Sequence, residues 1–316
     1  MNNQQTSRTA EFMALFRALE STSPPEHRLF TDVFAEGFLR PSLHLLVQFA
    51  RFRLLGVLVS QFLDWRWPGA RTSGIARTRY IDDACQEAIA SGFQQVVILG
   101  AGFDARAYRL PEMQTIRVFE VDHPATLAAK QRSLGHMLDA IPSHVIFVAV
   151  DLTTHQLGSA LRSAGFDPQL RTLFLWEGVT NYLNADAVDA TFRVMREAAP
   201  GSRILFTYVH RDVLVHPATF SGTRRLVRTL RQVGESWTFG FDPTELPAYL
   251  QQRDLVLLAD VGSVEYRTRY LGNTWRSLQG YTFYRIAQAE VTSRSGPNAT
   301  LASAPAQTPH RNKRGA

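Results

Sequence analysis

Val96-Val97-Ile98-Leu99-Gly100-Ala101-Gly102-Phe103-Asp104-Ala105-Arg106 is an apolar, largely β-branched run that stops at Gly-x-Gly. The run describes a buried parallel strand. Its glycines describe a tight turn at the carboxyl end, where missing side chains let a ligand touch the backbone. A second short strand over 115–120 ends in Glu120-Val121-Asp122. That ending sets a carboxylate where a nucleoside ribose would offer its two hydroxyls, with Asp122 as the first choice and Glu120 as the alternative.

Two cofactors can use such a turn. The pattern extends to Gly100-x-Gly102-x-x-Ala105, which a dinucleotide fingerprint tolerates. A nicotinamide enzyme usually supplies a proton-transfer group, yet the chain holds two lysines, Lys130 and Lys313, and neither follows a tyrosine by four residues. The other user of the turn is S-adenosylmethionine, whose adenosine fits the same crevice and which has no pyrophosphate to cradle. An NAD(P)-dependent oxidoreductase and a non-catalytic regulator on the same fold stay open as alternatives.

Composition narrows the class. With 316 residues, 45% hydrophobic and 20% charged, the chain suits one α/β domain plus additions. The single Cys85 cannot form an internal disulfide, and Met1-Asn2-Asn3 lacks a basic-then-apolar signal, so a cytoplasmic location is expected. Four basic residues and no acid lie in 292–316, leaving about +2 of the net +6 for the rest. That Ala/Ser/Pro/Thr/Asn-rich tail is expected to be disordered, and no nucleic-acid partner and no metal are expected.

The chain alternates strand and helix. Residues 1–75 are expected to form an N-terminal helical cap, with Phe12, Leu15, Phe16 and Leu19 on one face of an amphipathic helix. Residues 43–63 are apolar enough to suggest a membrane span, but Arg51 and Arg53 would each cost roughly 2.5–3.5 kcal/mol there, so a buried or lid helix is expected. The Trp65-Arg66-Trp67-Pro68-Gly69 turn ends it, its tryptophans read as packing residues. Strands are predicted at 95–99, 115–120, 145–150, 172–176, 202–208, 255–259 and 282–289. Helices are predicted at 78–90, 104–110, 124–138, 185–198 and 243–251.

This alternation predicts a doubly wound, mostly parallel seven-strand sheet of the class I methyltransferase (Rossmann-like) type. The last strand would arrive without a crossover helix and lie antiparallel beside strand six. Residues 76–291 would be the cofactor-binding domain, with a lid insertion over about 209–241.

Four ordered motifs carry a family resemblance: Arg77-Thr78-Arg79-Tyr80-Ile81-Asp82-Asp83, Leu99 through Leu110, Phe119-Glu120-Val121-Asp122-His123-Pro124, and Trp176-Glu177-Gly178-Val179-Thr180-Asn181-Tyr182-Leu183. Over about residues 7–290 the chain resembles the leucine carboxyl methyltransferase family. It is most similar to the bacterial branch of S-adenosylmethionine-dependent O-methyltransferases associated with polyketide biosynthesis, the tetracenomycin type. The resemblance implies that Arg77 holds the methionine carboxylate, that Gly100 and Ala101 lie against the cofactor, and that Asp122 takes the ribose hydroxyls. It also implies that Asp151 and Leu152 flank the adenine and that Glu177 stands near the methionine amino group. His123 and Pro124 are expected to be structural, and Asp104 and Arg106 to pair and hold the turn. The Gly-Val-Thr-Asn sequence after Glu177 departs from the eukaryotic protein-methylating members.

Methyl transfer needs alignment more than acid–base help, and alignment can supply roughly 7–11 kcal/mol. A carboxylate acceptor, with a pKa near about 4, is already ionised; a phenol near about 10 needs a base. By position after the fifth strand, Tyr208, Arg211, Arg224 and Arg225 are candidates to orient an acid, and His210 or His216 to act as base. The expected acceptor is a small polyketide-like or aromatic molecule.

Overall fold

The computed structural model describes residues 8–154, 156–220, 223–232, 234–272 and 280–293. Seven strands form one sheet: β1 (Gln95–Leu99), β2 (Arg117–Asp122), β3 (Val145–Ala149), β4 (Thr172–Trp176), β5 (Arg203–Val209), β6 (Leu255–Gly262) and β7 (Tyr284–Val291), in the order β3-β2-β1-β4-β5-β7-β6. The first five are parallel, and β7 runs antiparallel to both β5 and β6. The predicted sheet and its antiparallel last strand are therefore present. The predicted lack of a helix before that strand is not, because a helix lies between β6 and β7.

Four helices precede the sheet: α1 (Arg8–Thr22), α2 (Pro41–Ala50), α3 (Arg53–Arg66) and α4 (Ala70–Ala90). A short α5 (Arg106–Arg109) follows the glycine turn, and α6 (Pro124–Leu134), α7 (Leu157–Ser163) and α8 (Ala185–Met195) join the next strands. After β5 come α9 (Asp212–Val215) and α10 (Thr223–Gln232), then α11 (Leu246–Gln251) before β6 and α12 (Ser263–Leu271) before β7. The expected cap boundary at 75/76 falls inside α4. The expected tail, from residue 294 on, lies outside the described residues.

Strand periodicity divides the core into two layers. Val96 and Ile98 pack with Ile81, Cys85 and Ala88 of α4 on one side. Val97 and Leu99 face the other side, where Trp176 and Phe192 of α8 meet edge to face at 5.4 Å between centroids. Each fully buried side chain of this size contributes about 1.5–3 kcal/mol. β1 and β4 are buried along their whole length, as strands covered on both faces must be. Cys85 is part of this core, and burial pushes its thiol pKa up, consistent with packing rather than reactivity.

The stretch 43–63 departs from expectation. It breaks at Arg51 and Phe52 into the hairpin α2–α3, and Leu63 is the fully buried residue of α3 among its described side chains. The hairpin touches the body through Val47, Ala50 and Leu63 against Leu15 and Leu19 of α1, with Leu43, Leu46 and Val59 partly buried beside them; much of its remaining apolar surface faces outward. No described helix is long and apolar enough to cross a membrane.

Glu120 also differs from the alternative assigned to it. Its carboxylate lies in the core, 2.8 Å from Lys130 Nζ and 3.1 Å from the Tyr108 hydroxyl that donates to it. Both members of the ion pair are fully buried, and burial raises the Glu120 pKa against the pull of Lys130. Removing one partner strands the other charge in the core. Lys130→Met should cost about 3–5 kcal/mol in urea unfolding, and the Lys130→Met/Glu120→Leu double variant should recover most of it.

Candidate functional site

The parallel strands end on one side of the sheet, and the strand order reverses between β1 and β4, the position where open α/β sheets bind ligands. Beside that crevice is a cavity of about 600 Å³. One wall is made by the strand ends. The other is made by α1, by Leu226, Thr229, Leu230, Glu235 and Trp237, and by the start of β7, with Phe12, Phe16, Trp67 and Tyr281 among its aromatic side chains.

Arg77, Gly100, Ala101, Asp122, Asp151, Leu152 and Glu177 all line this cavity. Gly100 has φ +64°, and a Cβ there would collide with Val179 Cγ2, so the turn needs glycine on two counts. The Asp122 carboxylate closes the same turn: its Oδ2 accepts from Gly102 N–H and its Oδ1 from His123 N–H, both at 2.6 Å. Burial nevertheless raises its pKa above the ordinary 3.8. Asp151 is exposed and folded into a turn, its Oδ1 accepting from Thr153 N–H at 2.9 Å and Thr153 Oγ at 2.7 Å. His123 caps α6 by accepting from Ala125 N–H at 3.3 Å, a structural role.

Glu177 is the electrostatic centre. Its Oε1 accepts from Arg77 Nε at 2.7 Å and its Oε2 from Arg106 Nη1 at 2.8 Å. Burial alone would raise its pKa, but the Arg106 and Arg77 guanidiniums hold it below the usual value. Arg106 also pairs with Asp104 at 2.5 Å and Asp82 at 2.8 Å, so the expected Asp104–Arg106 pair exists inside a larger network. Burial pushes Asp104 up and Arg106 overrides it, leaving a pKa of about 2. From Asp82 the chain of charges continues through Arg109, at 2.6 Å, to Asp32 and Arg17. Arg17 Nη2 in turn donates to the Phe103 carbonyl of the glycine turn. Arg77 additionally lies 4.8 Å over the Tyr284 ring.

The described candidates placed after the fifth strand are not at the cavity. Tyr208 is buried in the opposite layer and donates to Asp260 at 2.7 Å. Arg211 is exposed and held by Glu245 at 2.8 Å. His210 lies tilted against Phe220 and accepts from Asp212 N–H, Arg224 and His216 are exposed, and the Arg225 side chain lies outside those described. The physical reason is the pairing of β5. Antiparallel β7 carries the register through Val209, and the His210–Phe241 bridge then leads the chain away from the crevice.

Sequence reading missed the clasp on α1. Glu235, buried beyond α10, accepts from Arg8 N–H at 2.7 Å, Thr9 N–H at 3.3 Å and the Thr9 hydroxyl. It caps a helix more than two hundred residues away in sequence, so no local signal marks it. Tyr182 joins from the other wall, donating to Thr9 Oγ1 at 3.3 Å.

The fold, with this cavity at its strand ends, defines a class I methyltransferase. It is shared with a methyltransferase of Thermobifida fusca, at TM-score 0.58 and 17% identity over 92% of this chain and 97% of that one. A protein of Streptomyces avermitilis shares it at TM-score 0.55 and 14% identity, over 86% and 99%. The sequence profile of the leucine carboxyl methyltransferase family matches residues 10–196, and the chain belongs to that family. A Streptomyces coelicolor relative named as an S-adenosyl-L-methionine-dependent methyltransferase is 38% identical over 65% of this chain and 70% of its own. A Mycobacterium tuberculosis relative of the same designation is 33% identical over 78% and 70%.

Removing the clasp should loosen the α1 wall without unfolding the sheet. Glu235→Ala is expected to cost about 1–3 kcal/mol in chemical denaturation and to speed proteolysis within 8–22, with Glu235→Gln intermediate. An unchanged proteolysis pattern would contradict a role for Glu235 in holding that wall.

Proposed function

We propose that this protein is an S-adenosylmethionine-dependent O-methyltransferase that methylates a carboxylate, or failing that a hydroxyl, of a small polyketide-like or aromatic molecule. The observation that carries the reading is that all seven residues the family resemblance assigns to the cofactor line one cavity, which aromatic side chains line as well. When bound, the cofactor supplies an electrophilic methyl group on a sulfonium.

The chain's residues suit that group. Arg77 offers a charged fork to the methionine carboxylate, and Glu177 offers a carboxylate to its ammonium. Because the two already pair with each other, a zwitterion meets a complementary dipole with no net charge to desolvate. Asp122 is fixed by two backbone N–H groups and keeps lone pairs for the ribose hydroxyls. The turn at Gly100 lets a ligand lie on the backbone, and Leu152 beside Asp151 provides an apolar face and an acceptor for an adenine.

On the acceptor side the chemistry favours an acid. Burial pushes the Tyr182 hydroxyl up to about 12 and Tyr281 higher still, so neither is a base near neutral pH. His123 Nδ1 is engaged in its helix cap. A carboxylate needs no base. Arg17, Arg77 and Arg106 on the cavity wall are each held by carboxylates, whereas Arg8 at its mouth is not in any described ion pair. Arg8 is therefore the lining cation left to orient an acceptor carboxylate in this reading.

Asp122→Ala and Arg77→Ala should each raise the dissociation constant for S-adenosylmethionine tenfold or more, the loss of a charge-assisted bond worth about 1.5–3 kcal/mol; unchanged binding in both would remove the assignment. Arg8→Ala should raise KM for aromatic acids and leave cofactor affinity unaltered. A radiolabelled methyl-transfer screen of aromatic acids and phenols tests the acceptor itself: esters should form, and ethers in their place would assign the acceptor as a hydroxyl.

Acidification adds a second check on Asp122. Its folded pKa lies above 3.8, so cofactor affinity should fall as pH drops through that raised value. Asp104, depressed to about 2, contributes stability that is full above 3.8 and lost only as pH falls toward 2. Calorimetric affinity should consequently decline at a pH where near-ultraviolet circular dichroism is still native.

A further inference from the structure

The α2–α3 hairpin leaves exposed what a monomer would ordinarily bury. Nine large apolar side chains between Leu45 and Trp65 are 40–82% exposed. Together they offer on the order of 1,000 Å² of apolar surface, judged from the size of such side chains. The largest apolar patch on a typical monomer is about 300–600 Å². On α3, Leu54, Leu58 and Phe62 recur every four residues and Trp65 follows three later, so they form one ridge along one face. Leu54 is 82% exposed and Trp65 67%.

Three of the arginines around this ridge are matched by carboxylates within the chain. Arg51 pairs with Glu36 at 2.7 Å, Arg71 with Asp64 at 2.6 Å, and Arg40 with Glu11 at 3.7 Å. The Arg66 guanidinium lies 5.1 Å over the Trp67 ring. An anionic lipid surface is recruited by clusters of surplus cations, and three of these arginines are already held by carboxylates. An apolar face of this size instead resembles one half of a divided core, the character of obligate homodimer interfaces, and its area meets the roughly 800 Å² per partner that a stable interface needs.

We propose that a second copy of this chain covers the face. The two hairpins meet across a two-fold axis, α3 against α3, and complete a four-helix bundle. The bundle backs the cavity: α3 runs directly into Trp67, which stacks on Phe12 at 4.8 Å, and both rings line the cavity wall. The proposal stands apart from the methyl-transfer reading, since it rests on surface outside the cavity.

Light scattering of the full chain at micromolar concentration should give twice the 35.5 kDa of one chain. The Leu58→Glu/Phe62→Glu double variant should give the single-chain mass with unchanged affinity for S-adenosylmethionine, showing that its fold is intact. Should that variant fail to fold, Leu58→Ser reads the same surface more gently and should weaken the dimer about tenfold or more, measured by sedimentation equilibrium. A monomeric wild type would overturn the proposal, as would a dimer that neither variant weakens. A wild-type monomer that cosediments with phosphatidylglycerol vesicles would overturn it in favour of a lipid surface.

Discussion

A carboxylate buried between two guanidiniums organises the molecule. Glu177 stands at the end of β4, takes Arg77 from α4 on one oxygen and Arg106 from the glycine turn on the other, and so ties three separate elements to one point. Asp82, Asp104, Asp32, Arg109 and Arg17 extend the pairing to the N-terminal helices. Four arginines and four carboxylates are thereby neutralised together. Charges this deep are tolerable only when every one has a partner, which makes the network costly to break and narrow in geometry. Its function is to hold the cavity wall in shape before a ligand arrives, since pre-set dipoles need no reorganisation during reaction.

The second wall is held by different means. Glu235 clasps the start of α1, Arg17 anchors its middle to the glycine turn through the Phe103 carbonyl, and the aromatic side chains between them face the cavity. A polar, rigid wall and an apolar wall closed by a few hydrogen bonds suit the two tasks of a methyltransferase. On the proposed reading the first would fix the cofactor, and the second would surround the acceptor and keep water from the sulfonium.

The sequence was legible where the signal is local. The apolar run into Gly100, the carboxylates at the ends of β2 and β4, and the Asp104–Arg106 pair are set by strand period and turn chemistry, and the residues sit within a few positions of one another. Glu235 was not legible, because its partners are on the far side of the chain. Tyr208, His210 and Arg211 were misplaced because the insertion of β7 beside β5 redirects the chain after Val209, and nothing near those residues announces it. The apolar stretch at 43–63 reads as a buried or lid helix because composition distinguishes water from oil, not a chain's own core from a face left outside it.

Calorimetric titration of the wild-type chain with S-adenosylmethionine, alongside the two nicotinamide dinucleotides, tests the central claim most directly. The account predicts micromolar, one-to-one binding of the sulfonium cofactor and none of either dinucleotide. Binding of a dinucleotide, or no binding of S-adenosylmethionine, would contradict it.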